Sequence, residues 1–333
     1  CTQNPTMGEE WRRGWHPEKI AAAKTPQSVL VVGAGPAGLE CALQLANRGY
    51  EVILSEASKH LGGRVVAESN LKGLALWRRV SDYRIYQLQQ LDNVNIYLDS
   101  ALNAQQVLEL GIEQVFVATG AIWRKDGIGR TSRMPIEGLE QVAVYTPDDI
   151  MNGIVPGQGP VVIYDDDQGY LGGVLADHLS DLGHKVLFVT SASIVSPFTE
   201  LTLEQKQVQC SLVAQGVDIY TNKSIVGVSQ KSGHAGVELK CVYGGQDVWL
   251  ACASLLLVTE RESASPLYEQ LQQLQKDDGT SMAMSLTLIG DALAPGLIAD
   301  AVFSGHQGAQ EFEADPDVVE QGLFKREMPS LNS

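Results

Sequence analysis

The chain has 333 residues, 44% of them hydrophobic and 19% charged, a composition that suits a globular protein with room for two separate cores. Its formal net charge of −16 excludes nucleic acid or an anionic membrane as the main partner, because both need Lys and Arg to neutralise phosphate. No apolar run reaches the ~18 residues of a membrane helix, and no basic-then-apolar leader opens the chain, so neither membrane insertion nor export is expected.

The chain opens on Cys1-Thr2-Gln3-Asn4-Pro5 without Met, which is expected of a piece of a longer polypeptide. Residues 1–27 are polar and carry Trp11, Trp15 and Pro17, an irregular arm ahead of the first strand. Ser28–Val32 is a β-branched run that stops at glycine and predicts a strand buried on both faces. Gly33–Asn47 follows as a helix, with Leu39, Ala42, Leu43 and Ala46 at helical spacing and Gly49 as its end. Glu51–Ser55 is the next strand, completing a βαβ half.

The turn in this unit reads Gly33-Ala34-Gly35-Pro36-Ala37-Gly38. The first glycine permits the tight turn, the second lets a pyrophosphate approach the backbone, and the third lets helix and strand pack closely. The helix start then offers free N–H groups to phosphate. Glu56, at the end of the second strand, is placed to accept from an adenosine ribose hydroxyl. The run from Glu56 and Ala57 to Leu61, Gly62, Gly63 and Arg64 extends the signature toward FAD-type proteins with two dinucleotide-binding domains, the glycines letting a loop pass close to phosphate. Two further marks of that class are Ala118-Thr119-Gly120, at the crossover between domains, and Gly290-Asp291, whose carboxylate serves the ribitol–phosphate end of FAD.

Further along, Pro160–Tyr164, Gly172–Leu182 and Lys185–Val189 repeat the strand–helix–strand pattern. The second turn, Asp165-Asp166-Asp167-Gln168-Gly169-Tyr170-Leu171-Gly172, is degenerate. Counted back from the helix, Asp167 takes the first-glycine position, and three carboxylates would repel a pyrophosphate. Thr190-Ser191 supplies neither a ribose-binding acid nor an arginine for a 2′-phosphate. NAD(P)H binding is therefore not expected, unless the acidic turn folds aside. Gln114–Gly120 and Ser285–Asp291 read as two more strands and Ala299–Phe312 as a long helix. The fold class is α/β, with two Rossmann-like three-layer domains, the first interrupted by the second. The arm takes residues 1–20, the ADP/FAD-binding domain 21–132 plus 283–333, and the inserted NAD(P)-binding-like domain 133–282. Stretches Asp126–Gly138 and Asn152–Gly159 are the expected linkers, and 313–333 an extended tail.

Cys1, Cys41, Cys210, Cys241 and Cys252 are scattered without a CxxC pair, which suits a reducing cytoplasm. His16, His60, His178, His184, His234 and His306 show no metal-ligand spacing and read mostly as surface or packing residues. No arrangement of residues suggests hydrolysis.

The segment Gly8-Glu9-Glu10-Trp11-Arg12-Arg13-Gly14-Trp15-His16-Pro17-Glu18-Lys19 behind Cys1–Asn4, with Val31–Gly38, Ala118–Gly120, Tyr164–Gly173 and Leu288–His306, resembles the trimethylamine, dimethylamine and histamine dehydrogenase family over nearly the whole chain. The acidic second turn is similar to that branch, and unlike the related dienoyl-CoA reductases with their glycine-rich NADPH turn. The resemblance implies an N-terminal (β/α)8 barrel carrying FMN, which would need about 250 further residues, then a 4Fe–4S cluster. Cys1 would be the last of its four ligands, the other three lying upstream. It implies ADP in the first domain, while Glu56, Gly62, Gly63 and Asp291 leave FAD open. It also implies a small amine as substrate, an electron-transfer flavoprotein as acceptor and a homodimer for the full-length enzyme, with no catalytic residue in this part. Two other readings stand beside it: the FAD/NAD(P)H half of an enoate-type reductase, and a non-catalytic ADP-binding scaffold.

Overall fold

The computed structural model describes residues 1–8, 15, 20–245, 247–277 and 284–314. Most of the segment that follows Cys1–Asn4 in the resemblance, residues 9–14 and 16–19, and most of the expected tail, 315–333, lie outside the described residues. The chain forms two compact units: Cys1–Val66 with Trp77–Ala121 and Ser263–Ser333, and Ala67–Leu76 with Ile122–Glu262.

The first unit runs β1 (Ser28–Val32), α1 (Pro36–Arg48), β2 (Glu51–Ser55), α2 (Arg64–Glu68), α3 (Arg79–Leu88), β3 (Val94–Tyr97), α4 (Ala104–Glu109) and β4 (Gln114–Val117). The chain then leaves through β5 (Ala121–Trp123). The second unit holds β6 (Ala143–Tyr145), α5 (Pro147–Met151), β7 (Val161–Asp165), α6 (Tyr170–Asp181), β8 (Val186–Thr190), α7 (Gln205–Ala214) and β9 (Asp218–Tyr220). Strands β10 (Lys223–Lys231), β11 (His234–Cys241), β12 (Val248–Ala251) and β13 (Ser254–Val258) complete it. The chain returns through β14 (Arg261–Ser263), α8 (Pro266–Asp277), β15 (Ser285–Leu288) and α9 (Ile298–Glu311).

The first sheet has the order β15-β4-β1-β2-β3, all parallel. Its last strand in the chain thus pairs with β4 across the whole insertion, which is the interrupted α/β arrangement. Both faces of β1 are buried, as its β-branched run predicts: Val29 and Val31 pack with Leu39, Ala42 and Phe116, while Leu30 and Val32 pack with Val107, Leu267 and Leu271. Helices therefore cover the sheet on both sides, giving three layers. Helix α1 ends where expected, at Gly49 with φ 99°, whose N–H donates to the Ala46 and Leu45 carbonyls.

The second unit has a parallel sheet of order β6-β13-β7-β8-β9 and an antiparallel sheet of order β10-β11-β12. Val162, Tyr164, Leu187, Val189, Leu255 and Leu257 on one face pack against Ile225, Val228, Val237 and Leu239 of the antiparallel sheet. One outer layer of this unit is thus a sheet rather than helices.

Register decides where the turns come out. Val32 pairs with Ser55 on one side and Val117 on the other, and Val117 pairs with Leu288. Gly33, Glu56, Ala118 and Ile289 therefore emerge side by side at the carboxyl edge, where open α/β sheets bind ligands.

Behind that edge α1, α3 and α9 meet on a buried ionic group. Glu40 on α1 accepts from Arg84 Nε of α3 at 2.6 Å and pairs with His306 Nδ1 of α9 at 2.8 Å. Arg84 also donates to the Val80 carbonyl at 2.7 Å, and its side chain is fully buried. Burial by itself raises the Glu40 carboxyl. The hydrogen bond with His306 and the Arg84 charge outweigh that and hold it below the usual glutamate range. Folded Glu40 therefore binds fewer protons than unfolded Glu40 once the pH drops below the ordinary value of about 4.3, so its stabilisation is present above that value and is lost on further acidification through the folded pKa. Glu40→Gln is expected to flatten the acid limb of the stability curve by up to about 1.4 kcal/mol per pH unit. At neutral pH it should cost about 3–5 kcal/mol, because Arg84 is left buried without its counter-charge. Urea unfolding between pH 2 and 7 measures both effects.

Candidate nucleotide-binding site

The first turn is built by three glycines with three different duties. Gly33 has φ 101°, and a Cβ on it would lie 2.4 Å from the Ala118 carbonyl oxygen. A Cβ on Gly38 would lie 1.8 Å from the Gly33 carbonyl oxygen, so only glycine lets α1 start this close to β1. Gly35 is the opposite case: a Cβ there would meet nothing within 4 Å. It is the N-cap of α1 with extended backbone and no side-chain cap, and Pro36 fills the first helical position. Pro36 has no N–H to lose there, and the first-turn N–H groups of Ala37 and Gly38 have no acceptor within the helix.

The second cluster closes around this turn. Glu56 Oε2 accepts the Ala34 N–H at 2.7 Å and Oε1 accepts the Ser58 N–H at 2.8 Å. Each carboxylate oxygen keeps a further lone pair, so the group stays competent to accept from a ribose hydroxyl. Ala57 is exposed and Leu61 is half-buried against the core beneath. The Gly62 N–H donates to the Ala34 carbonyl at 2.8 Å. Gly63, at φ 57°, passes so close that a Cβ on it would lie 2.9 Å from Gly35 Cα. Arg64 Nη2 donates to the Ala121 carbonyl at 2.5 Å, and Nη1 lies 3.7 Å from Asp291.

The third group divides. The Ala118 carbonyl and the Thr119 backbone abut Gly33, while the Thr119 hydroxyl and the Gly120 carbonyl are bonded to Ala264 of the returning chain. Gly290, at φ 62°, donates its N–H to Ser304 Oγ at 2.8 Å and packs on Ala37, whose Cβ would be 2.5 Å from a Cβ on Gly290. Asp291 accepts the Gly296 N–H at 3.0 Å besides facing Arg64. Cys1 is exposed, its sulfur accepting the Asn4 N–H at 3.5 Å, and among the described residues no group of three His, Cys, Asp or Glu could hold a metal ion.

Ser304 and the Glu40–Arg84–His306 group were not legible as site neighbours. One signal was available: Glu40 interrupts the apolar face Leu39-Glu40-Cys41-Ala42-Leu43, and an acid at a core position requires a partner.

The second turn differs in construction. Three residues, 33–35, separate β1 from α1, whereas four, 166–169, separate β7 from α6. Counted back from the helix, Gly169 is the N-cap and Gly172 the third helical residue, as Gly35 and Gly38 are in the first turn, and Gln168 takes φ 65°. Asp165 ends β7 with its carboxyl beneath the helix start: a Cβ on Gly172 would lie 2.6 Å from its Cγ. Burial pushes the Asp165 carboxyl well above the usual range, and its Oδ2 has no hydrogen-bond partner. Asp166 is taken up by its neighbours, accepting Thr131 N–H at 2.7 Å, Thr131 Oγ1 at 2.6 Å and Ser191 Oγ at 2.7 Å. Gln168 Nε2 donates to the same Ser191 at 3.0 Å, and Arg130 donates to the Asp167 carbonyl at 3.2 Å. The 130–131 segment is thus bonded onto the second turn, where the first turn has no such contact at Gly35.

A parallel sheet with an open glycine turn, interrupted by a second unit with a parallel sheet of its own, is the fold of the two-dinucleotide-domain flavoprotein class. The chain belongs to the pyridine nucleotide-disulphide oxidoreductase family, whose model matches residues 12–76 and 27–281. Dimethylamine dehydrogenase of Hyphomicrobium sp. (strain x) is 36% identical over 351 residues, which cover 98% of this chain and 47% of that protein. Histamine dehydrogenase from Rhizobium sp. 4-9 superimposes with a TM-score of 0.89 at 44% identity, covering 95% of this chain and 48% of that one. 6-Hydroxypseudooxynicotine amine oxidase from Pseudomonas geniculata N1 gives a TM-score of 0.88 at 42% identity, over 94% of this chain and 46% of that one. The chain is thus homologous to amine-oxidising oxidoreductases along nearly all its length and spans about half of theirs.

The glycines make a contrast that can be measured. Gly35→Ala fits the unliganded fold and should change stability by less than about 1 kcal/mol, while weakening ADP binding at least about tenfold. Gly38→Ala should destabilise by about 1–3 kcal/mol or more, because backbone has to move. Thermal melts with and without ADP separate the two.

Proposed function

We propose that this chain is the nucleotide-binding part of a flavin- and iron–sulfur-dependent amine dehydrogenase. The observation that carries the reading is the pairing of an open first turn with a second turn bonded shut by its own chain. A protein built to take hydride from NAD(P)H needs the second turn open. The homology to dimethylamine and histamine dehydrogenases supports an amine as the substrate class.

The first unit holds ADP. The first turn of α1 receives the pyrophosphate, Glu56 receives the ribose, and Gly62 and Gly63 bring the loop over the phosphates. Asp291 already faces Arg64 and the Gly296 N–H, which favours a nucleotide that ends before the ribitol over FAD. A 4Fe–4S cluster, held by Cys1 and three thiolates from elsewhere in the polypeptide, supplies single-electron transfer when bound. The exposed Cys1 sulfur, oriented by the Asn4 N–H, suits a ligating thiolate. In the whole enzyme an FMN bound outside this chain would supply the two-electron chemistry on the amine, and an electron-transfer flavoprotein would serve as acceptor. This chain then contributes the nucleotide site and one ligand, carries no catalytic residue and is inactive alone. Our reading of the whole enzyme is a cytoplasmic homodimer. No helix among the described residues is long and apolar enough to cross a membrane.

Denaturing the purified protein and identifying the released nucleotide by mass and absorbance tests the reading. ADP from a colourless protein is expected. FAD with flavin absorbance would instead identify the reductase half, and a saturable NADH titration would sink the closed second turn. NADH is expected to bind no tighter than about 1 mM.

A further inference from the structure

Three paths lead from the nucleotide turn to one buried arginine. Glu40 lies on α1, the helix whose first turn faces the nucleotide, and accepts from Arg84 at 2.6 Å. The Gly62–Gly63 loop rests on α3: a Cβ on Gly62 would lie 3.1 Å from Ser81 Oγ, and Ser81 is one turn before Arg84. Helix α9 presses on α1 through Gly305, where a Cβ would lie 2.1 Å from the Ala37 carbonyl oxygen, and its next residue is His306, on the same Glu40. Arg84 spends its remaining nitrogen on the arm, with Nη2 donating to the Thr2 carbonyl at 3.4 Å.

The arm is itself ordered at this end. Asn4 Oδ1 accepts the Thr6 N–H at 3.0 Å and the Thr6 hydroxyl at 2.7 Å, Thr6 is buried, and the Asn4 N–H points to Cys1 Sγ. Trp15 is buried against the His306 ring, 5.2 Å between centroids. A rigid, fully desolvated ion pair transmits displacement better than a solvated one, because neither partner can reorient into water.

We propose that Arg84 is a positioning residue that couples nucleotide occupancy of the first turn to the arm carrying Cys1. A bound nucleotide fixes the start of α1 and the Gly62–Gly63 loop together. Through Glu40 and Ser81 both hold α3, and Arg84 then holds the Thr2 carbonyl and with it the Cys1 turn. This gives a nucleotide that takes no part in chemistry a use: it sets the place of a cysteine that does. The coupling rests on the first turn being the nucleotide site.

Hydrogen exchange of residues 1–8, followed by mass spectrometry of the purified protein with and without saturating ADP, tests it. ADP should slow exchange there by about fivefold or more, with the β10–β11 hairpin of the second unit as the unaffected reference. Arg84→Lys keeps a charge beside Glu40 but cannot bridge Glu40 and Thr2 at once. It should bind ADP within about threefold of the parent, a change of under ~1 kcal/mol, and lose most of the ADP-dependent protection. Arg84→Met should lose all of it, and if that variant does not fold Arg84→Lys decides alone. Bound ADP with unchanged exchange in 1–8, or full protection in Arg84→Lys, overturns the coupling and leaves the nucleotide site standing. Failure of both ADP and FAD to bind overturns the coupling together with the nucleotide site.

Discussion

The closeness of α1 to the end of β1 is the constraint on which the nucleotide site depends. Gly38 sits where any side chain would run into the Gly33 carbonyl, and Gly33 sits where any side chain would run into Ala118. Two absent side chains draw the helix start down between β1 and β4, so its unsatisfied N–H groups end at the sheet edge. Gly290 and Gly305 repeat the device from the other side, letting α9 and the turn before it pack on Ala37. Small residues at four crossings make one compact wall, and Gly35 has open space before it.

The second unit uses the same strand–helix–strand plan with a differently built turn. The turn between β7 and α6 has one added residue, and the buried Asp165 carboxyl lies against Gly172 at the helix start. Asp166 then gathers Thr131 and Ser191 onto the turn. Arg130 joins them through the Asp167 carbonyl, so a neighbouring segment of the chain is bonded onto the turn. The fold is kept because its core, with β7, β8 and β13 buried throughout, does not depend on the turn.

The ionic group behind the first turn shows why a costly feature persists. An apolar trio would fill the space where α1, α3 and α9 meet at least as stably. Glu40, Arg84 and His306 instead impose one relative placement of three helices, and Arg84 extends that placement to the arm. Specific geometry at the start of the chain, rather than added stability, is what the charges contribute.

Local pattern determined much of this protein. Ser28–Val32 and Glu51–Ser55 are strands to the residue, Gly49 ends α1, and the glycine turn lies between strand and helix, because each depends on neighbours within a few positions. The family was legible for the same reason, since its motifs are short and ordered. What tertiary structure decided involves partners far apart in the chain. The meeting of Glu40 with His306 and Arg84, the capture of Asp166 by Thr131, and the diversion of Thr119 and Gly120 to Ala264 follow from strand order and register. The extra residue in the second turn was hidden in the sequence, because counting glycines cannot tell where a strand stops once its last residue is a buried aspartate, a residue that propensity would assign to a loop.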